Sequence, residues 1–248
     1  MTQRFAAISD IHGNSDALAA VLADIEAMGL RQIVNLGDHL SGPLDPVGTL
    51  ALLRARQDMV NLRGNHDRWL VDLPPDRMSA SDRHAHDLLD PAALNWLGGL
   101  PATAWMGDVF LCHATPGDDE TYWLEDVTPQ GVVFQRAHDE VAALAGEVQA
   151  SLLLCGHTHL PRLVRLRDGR LIVNPGSVGL PGFDHDVPFA HLIEAGSPEA
   201  RYAILERNKA GWHVTFRAVP YDASRMIGLA MAAGRPDWAG PLRSGWCR

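Results

Sequence analysis

Five short stretches of the chain gather Asp, Asn and His, four of them beside glycine. They are Asp10-Ile11-His12, Gly37-Asp38, Gly64-Asn65-His66-Asp67, His113 and Gly156-His157-Thr158-His159. Carboxylate, amide and imidazole donors with no thiolate make a metal-ligand set that suits Mn, Fe, Zn, Co or Ni better than Ca. Imidazoles outnumber carboxylates, so a purely Mg site fits poorly. The His157/His159 pair adds to this, because alternate residues of an extended segment point the same way. Glycine lets the backbone turn sharply and approach a ligand closely.

Each stretch follows an apolar run that reads as a strand: RFAAIS (4–9), QIVNLG (32–37), MVNLRG (59–64), VFLC (109–112) and SLLLCG (151–156). Apolar residues at helical spacing over 15–28, and over 46–56 behind Pro46, separate the first three. The order β, α, β, α, β predicts a parallel sheet with helices packed on it. The carboxyl ends of such strands share one edge, so residues from 10 to 159 should converge there.

The rest of the chain is expected to frame that edge. Residues 68–100 are polar and rich in Asp and Arg, and read as a small helical cap insertion of short helices. Hairpins are expected at Gly107-Asp108, Asp168-Gly169 and Ala210-Gly211. Residues 128–145 read as a helix, 187–196 as an insertion, and 222–248 as a helix and tail. One domain over 1–248 is the simplest division.

With 248 residues, 46% of them apolar, the chain can bury one large core. Its formal charge of −9 argues against stable nucleic-acid binding. Lys209 is the lone lysine, so phosphate must be held by Arg, backbone N–H groups or metal ions. No apolar run approaches the roughly 20 residues of a membrane span, and the N-terminus carries no signal-like region. These features predict a cytoplasmic protein without a membrane partner, with self-association left open. Cys112 and Cys155 follow apolar runs and read as small buried residues.

Taken in order, the five motifs resemble the signature of the calcineurin-like metallophosphoesterases: D-x-H, G-D, G-N-H-[DE], H and G-H-[TC]-H. They span residues 10 to 159, and NPGSVG (174–179) is similar to a turn in the short bacterial branch of that superfamily. The resemblance implies a four-layer α/β/β/α sandwich with two divalent transition-metal ions at its edge, Mn foremost. It implies that Asp10, His12 and His159 hold one ion, that Asn65, His113 and His157 hold the other, and that Asp38 bridges them. A hydroxide between the ions then attacks phosphorus in line. Purple acid phosphatases carry a metal-binding Tyr where this chain has Ser41, so a tyrosinate–iron site is not expected.

The resemblance assigns His66 no metal, which leaves it as the candidate general acid to the departing oxygen. Asp67 reads either as the group that fixes the His66 tautomer or as a cap on the following turn. His39, next to Asp38, is a further candidate for the cleft. The expected activity is hydrolysis of a small, nucleotide-type phosphoester, with dinucleoside polyphosphate hydrolysis as the alternative. A non-catalytic scaffold with this fold is disfavoured, because no motif residue is missing. The acidic loop 114–126 should disfavour long polyanions.

Overall fold

The computed structural model describes residues 3–56 and 58–247. The chain opens with β1 (Arg4–Ile8), α1 (Ser15–Ala27), β2 (Ile33–Asn35), α2 (Pro46–Arg54) and β3 (Met59–Asn61). Asn14 caps α1 by accepting from Ala17 N, and Asp45 caps α2 ahead of Pro46. Three short helices follow, α3 (Asn65–Asp72), α4 (Ala80–Leu88) and α5 (Pro91–Gly98). Then come β4 (Thr103–Met106), β5 (Val109–Cys112), β6 (Glu125–Val127), β7 (Val133–Gln135), α6 (His138–Ala145) and β8 (Leu152–Leu154). The remainder is β9 (Arg162–Arg165), β10 (Leu171–Asn174), β11 (Gly182–His185), β12 (His191–Glu194), β13 (Ala200–Asn208) and β14 (Gly211–Val219). Helices α7 (Ser224–Ala232) and α8 (Ala239–Ser244) close the chain.

Two five-stranded sheets carry the architecture, in the orders β14-β13-β1-β2-β3 and β4-β5-β8-β10-β9. The expected parallel pairing holds in their centres, β1-β2-β3 and β5-β8-β10. The flanking strands β13, β14, β4 and β9 run antiparallel.

Alternate residues of the central strands enter different cores. Phe5 and Ala7 face the second sheet with Val109, Leu111, Leu152 and Leu154. Ala6 and Ile8 face away, against Leu18, Val21 and Ile25 of α1. Phe110, Leu153 and Ile172 face away on the other side, against Val141 and Ala145 of α6. Both faces of both sheets are therefore covered, which makes the four-layer α/β/β/α sandwich. Leu70, Ala85, Ala93 and Leu97 of the 68–100 region join the same core as α1, so these helices extend the outer helical layer.

Three local expectations change. Residues 128–137 are not helical: Gly131, at φ +77°, closes a turn by donating its N–H to Thr128 O, and β6 and β7 form a hairpin. Pro129 and Gly131 break the helical period, and Val132-Val133 prefers an extended backbone. Residues 187–196 are no mere insertion, for they complete a hairpin of β11 and β12. The last hairpin turns at Lys209-Ala210, with Gly211 already paired to Asn208. Among the described residues no helix is long and apolar enough to cross a membrane.

Candidate metal centre

The strand-end loops are laced to one another by their backbones. Asp10 N donates to Gly37 O at 3.0 Å, and Ile11 N and His12 N both donate to Asp38 O at 2.9 and 3.0 Å. On the second sheet Gly156 N donates to His113 O at 2.7 Å. His157 N crosses between the sheets to the Asp10 carboxylate at 3.1 Å. This lacing twists the backbone: Asp10, His12, Asp38, His157 and His159 all have φ between +49° and +68°. They are the only non-glycine residues with positive φ among the described residues. Such a conformation costs about 1 kcal/mol or more each, so the surrounding contacts must enforce it.

The side chains so positioned converge. Asp10, His12 and His159 form one group, and Asp38, His113 and His157 a second, with donor atoms inside 4.8 Å in each. Asp38 Oδ2 lies 3.7 Å from His12 Nε2 and 3.4 Å from His113 Nε2, between the groups. Asn65 Oδ1 is 2.9 Å from His113 Nε2, which adds an amide oxygen to the second group. The structure thus brings all seven predicted ligands together.

One nitrogen of each imidazole is already committed. His113 Nδ1 donates to Leu36 O at 2.9 Å, His159 Nδ1 to Leu180 O at 2.6 Å and His157 Nε2 to Glu120 O at 2.7 Å. Donation at one nitrogen leaves a lone pair on the other, aimed into the site. His12 Nδ1 shares a 2.8 Å hydrogen bond with Ser41 Oγ, which fixes the orientation of this candidate ligand. His159 Nε2 stands 3.1 Å from His12 Nε2 and 3.4 Å from Asp10 Oδ1. Lone pairs gathered this closely repel unless a cation lies among them, and the mixed N and O donors fit a divalent transition metal.

Residues 4–195 match the family described as the calcineurin-like phosphoesterase superfamily domain. The chain belongs to that superfamily. Its members use divalent metals, and this protein is a metal-dependent phosphoester hydrolase. It is 27% identical to a metallophosphoesterase from Sphaerobacter thermophilus, whose crystal structure superposes with a TM-score of 0.75 over 99% of this chain and 100% of that one. A hypothetical protein from Pyrococcus horikoshii has the same fold, at 19% identity and a TM-score of 0.75 over 98% of each chain. An uncharacterized protein of Methanocaldococcus jannaschii is 25% identical over 95% of both chains.

The electrostatics of the phosphoesterase centre follow from burial and charge. Burial pushes the pKa of His12 down to about 3 and that of His157 to about 4, so both stay neutral. Burial acts the same way on His113, but Asp38 and Asp10 outweigh it and raise its pKa to about 10.

His66 stands beside the phosphoesterase ligands with a different partner from the one expected. Asn65 and His66 open helix α3 rather than merely ending a strand. The Asp67 carboxylate does not reach His66. Its oxygens accept from Asp38 N at 2.8 Å, His39 N at 2.9 Å, Gly64 N at 3.0 Å and His39 Nδ1 at 2.7 Å. It therefore clamps the Gly37-Asp38 loop to the start of α3, and His39 is wholly buried in that clamp. His66 Nδ1 donates instead to Asp82 Oδ1 of α4 at 2.7 Å. Burial pulls the pKa of His66 down, but Asp82 and Asp38 overcome it and raise it to about 9. Bound cations would cancel the part due to Asp38; the part due to Asp82 would persist.

Sequence reasoning pointed to walls from 68–100 and 114–126, which line the phosphoesterase cavity, but missed Asp82 and the wall supplied by residues 180–192 and 235–247. The cavity has a volume of about 1080 Å³, with His12, Asp38, Asn65, His66, His157 and His159 on its floor. Trp69, Tyr122, Phe183 and Trp238 line it from four separate segments. Asn174 and Ser177 brace the site from behind: Asn174 Nδ2 donates to Gly156 O at 2.7 Å and Ser177 Oγ to Asp10 O at 2.7 Å.

Proposed function

We propose that this phosphoesterase hydrolyses a small nucleotide-type phosphoester with two divalent ions, manganese in the first instance. The observation that carries the reading is the shared position of Asp38 Oδ2 between two largely buried Asp/His groups, at the floor of a cavity that His66 also lines. Asp10, His12 and His159 would hold one ion, and Asn65, His113 and His157 the other, with Asp38 common to both. Such ions supply charge neutralisation at the phosphoryl oxygens and acidify the attacking water.

The chain's own residues do the rest. Asn65, as a neutral ligand, keeps the negative charge of the site from rising further. His66 holds a proton at Nε2, the nitrogen that Asp82 leaves open, and delivers it to the departing oxygen. Asp82 fixes the ring so that Nε2 faces the cavity. Asp67 holds Asp38 and the first turn of α3 in one frame. The apolar rings around the floor exclude water, which strengthens every charge interaction there.

The test is reconstitution with Mn²⁺ followed by assay on nitrophenyl phosphate and bis-nitrophenyl phosphate. Metal uptake with turnover of either ester is expected. A chain that bound no metal and cleaved neither compound would end the reading.

A further inference from the structure

The floor and the walls of the cavity differ in charge. Away from the ligands the walls carry Glu120, Asp126, Asp184 and Asp237 against two arginines, Arg136 and Arg235. Each arginine already pairs with a carboxylate, although the buried Nε of Arg136 has no partner among the described residues. Arg136 Nη1 pairs with Asp126 Oδ2 at 3.1 Å, and Arg235 Nη2 pairs with Asp237 Oδ2 at 2.5 Å. Arg235 also donates to Ser81 Oγ. Glu120 pairs with Arg68 Nη2 at 2.5 Å, which leaves Asp184 as the wall carboxylate with no ion pair among the described residues. The lone lysine, Lys209, sits on the exposed β13–β14 turn and does not line the cavity.

The walls are aromatic where they meet the floor. Trp69 packs edgewise on His66 at a ring separation of 4.7 Å, and Phe183 on His159 at 4.6 Å. Tyr122 packs on His157 at 5.3 Å and Trp238 on His12 at 6.1 Å. Four imidazoles of the floor are thus ringed by four aromatic side chains.

We infer that the ester carries a single phosphate, held at the floor, and that its organic portion is uncharged and aromatic or apolar. This rests on the hydrolase reading above and names the class of substrate within it. A second phosphate lying against the walls would meet the unpaired Asp184 and three carboxylates whose arginines are already paired, so it would find no free cation to balance it. An aromatic ring there would gain apolar contact and edge-to-face packing. The cavity volume is near the upper end for small-ligand sites, so size alone would admit a second phosphate; charge is what excludes it. Nucleoside monophosphate esters and aryl esters are therefore favoured over dinucleoside polyphosphates.

The experiment compares two substrates of the Mn²⁺-loaded protein: the nitrophenyl ester of a nucleoside 5′-monophosphate, and the same compound bearing an added 3′-phosphate. The added phosphate is expected to lower kcat/KM about 10-fold or more, and the gap should narrow as salt rises from about 0.05 to 1 M. Asp184→Asn combined with Asp237→Asn, which frees Arg235, should narrow it further at low salt. Equal or better turnover of the doubly phosphorylated compound overturns the inference and leaves the hydrolase reading intact. A gap unmoved by salt and by both substitutions also overturns it, because the exclusion would then be steric. Cleavage of neither compound by protein that still turns over nitrophenyl phosphate overturns the inference alone; no turnover of any of the three removes the hydrolase reading, and the inference falls with it.

Discussion

His66 of α3 and Asp82 of α4 are joined by a 2.7 Å hydrogen bond between Nδ1 and a carboxylate oxygen, across 16 positions of sequence. The second oxygen of Asp82 accepts from Ser79 Oγ at 2.7 Å, and Asp82 N donates back to Ser79 Oγ at 3.1 Å. The group that orients the proposed acid is thus fixed by the cap of its own helix.

Asp82→Asn should lower kcat by about 10- to 100-fold, the usual scale for loss of an orienting partner, while metal content stays unchanged. His66→Ala should lower kcat by about 100-fold or more. The double variant should be no slower than His66→Ala alone, because both act through one proton. A double variant slower by the product of the single losses would separate the two residues.

Asn65→Ala should weaken one ion selectively. Asn65 Oδ1 lies beside His113 Nε2 of the second group and is remote from the Asp10 group in the assignment above. Titration followed by elemental analysis should show one tight ion retained and the other lost on dialysis. Equal retention of both would remove Asn65 from the ligand set.

Gly64→Ala should disturb the centre more than its size suggests. A Cβ there would press directly on Asp38 Oδ1 and on the Asp38 backbone. Neither can yield, since Asp38 N is bound to Asp67 and Asp38 O accepts from two loop N–H groups. Loss of metal affinity together with a lower Tm is expected. A variant with native Tm and native metal content would show that the loop moves freely.

A pH prediction concerns Asp24, far from the metal groups. Arg217 and Tyr202 hydrogen-bond its carboxylate at 2.8 and 2.6 Å and tie α1 to β13 and β14. The Arg217 hydrogen bond leads the causes that hold its pKa below the ordinary carboxylate value. A folded-state pKa lower than the unfolded one means stability present above about pH 4 and lost as pH falls through the folded value. Asp24→Asn should therefore lower Tm by about 2–4 °C at pH 7, and the two curves should converge as pH falls through the lowered folded-state value. Curves that stay parallel through acid would assign the loss to packing.

The convergence of the candidate ligands was legible in sequence because each follows an apolar run and most adjoin glycine, so position along the chain encoded position along the sheet edge. Asp82 was not legible. In Ser79-Ala80-Ser81-Asp82 it reads as an ordinary capping residue, and nothing local says that one oxygen is left for His66. Asp67 illustrates the converse: adjacency to His66 suggested a partnership, but the first turn of a helix points neighbouring side chains about 100° apart. The β11–β12 hairpin escaped notice because its strands are only four residues each and Gly-Phe-Asp-His and His-Leu-Ile-Glu show no apolar alternation.

The five left-handed residues set stability and chemistry against each other. Each of these positions would relax if it became glycine, and each would then lose a proposed ligand. Selection of variants for heat resistance alone should therefore drift toward glycine at 10, 12, 38, 157 and 159, and yield sturdier chains that no longer retain metal. A screen that keeps metal present throughout would oppose that drift, because bound ions reward the strained conformation.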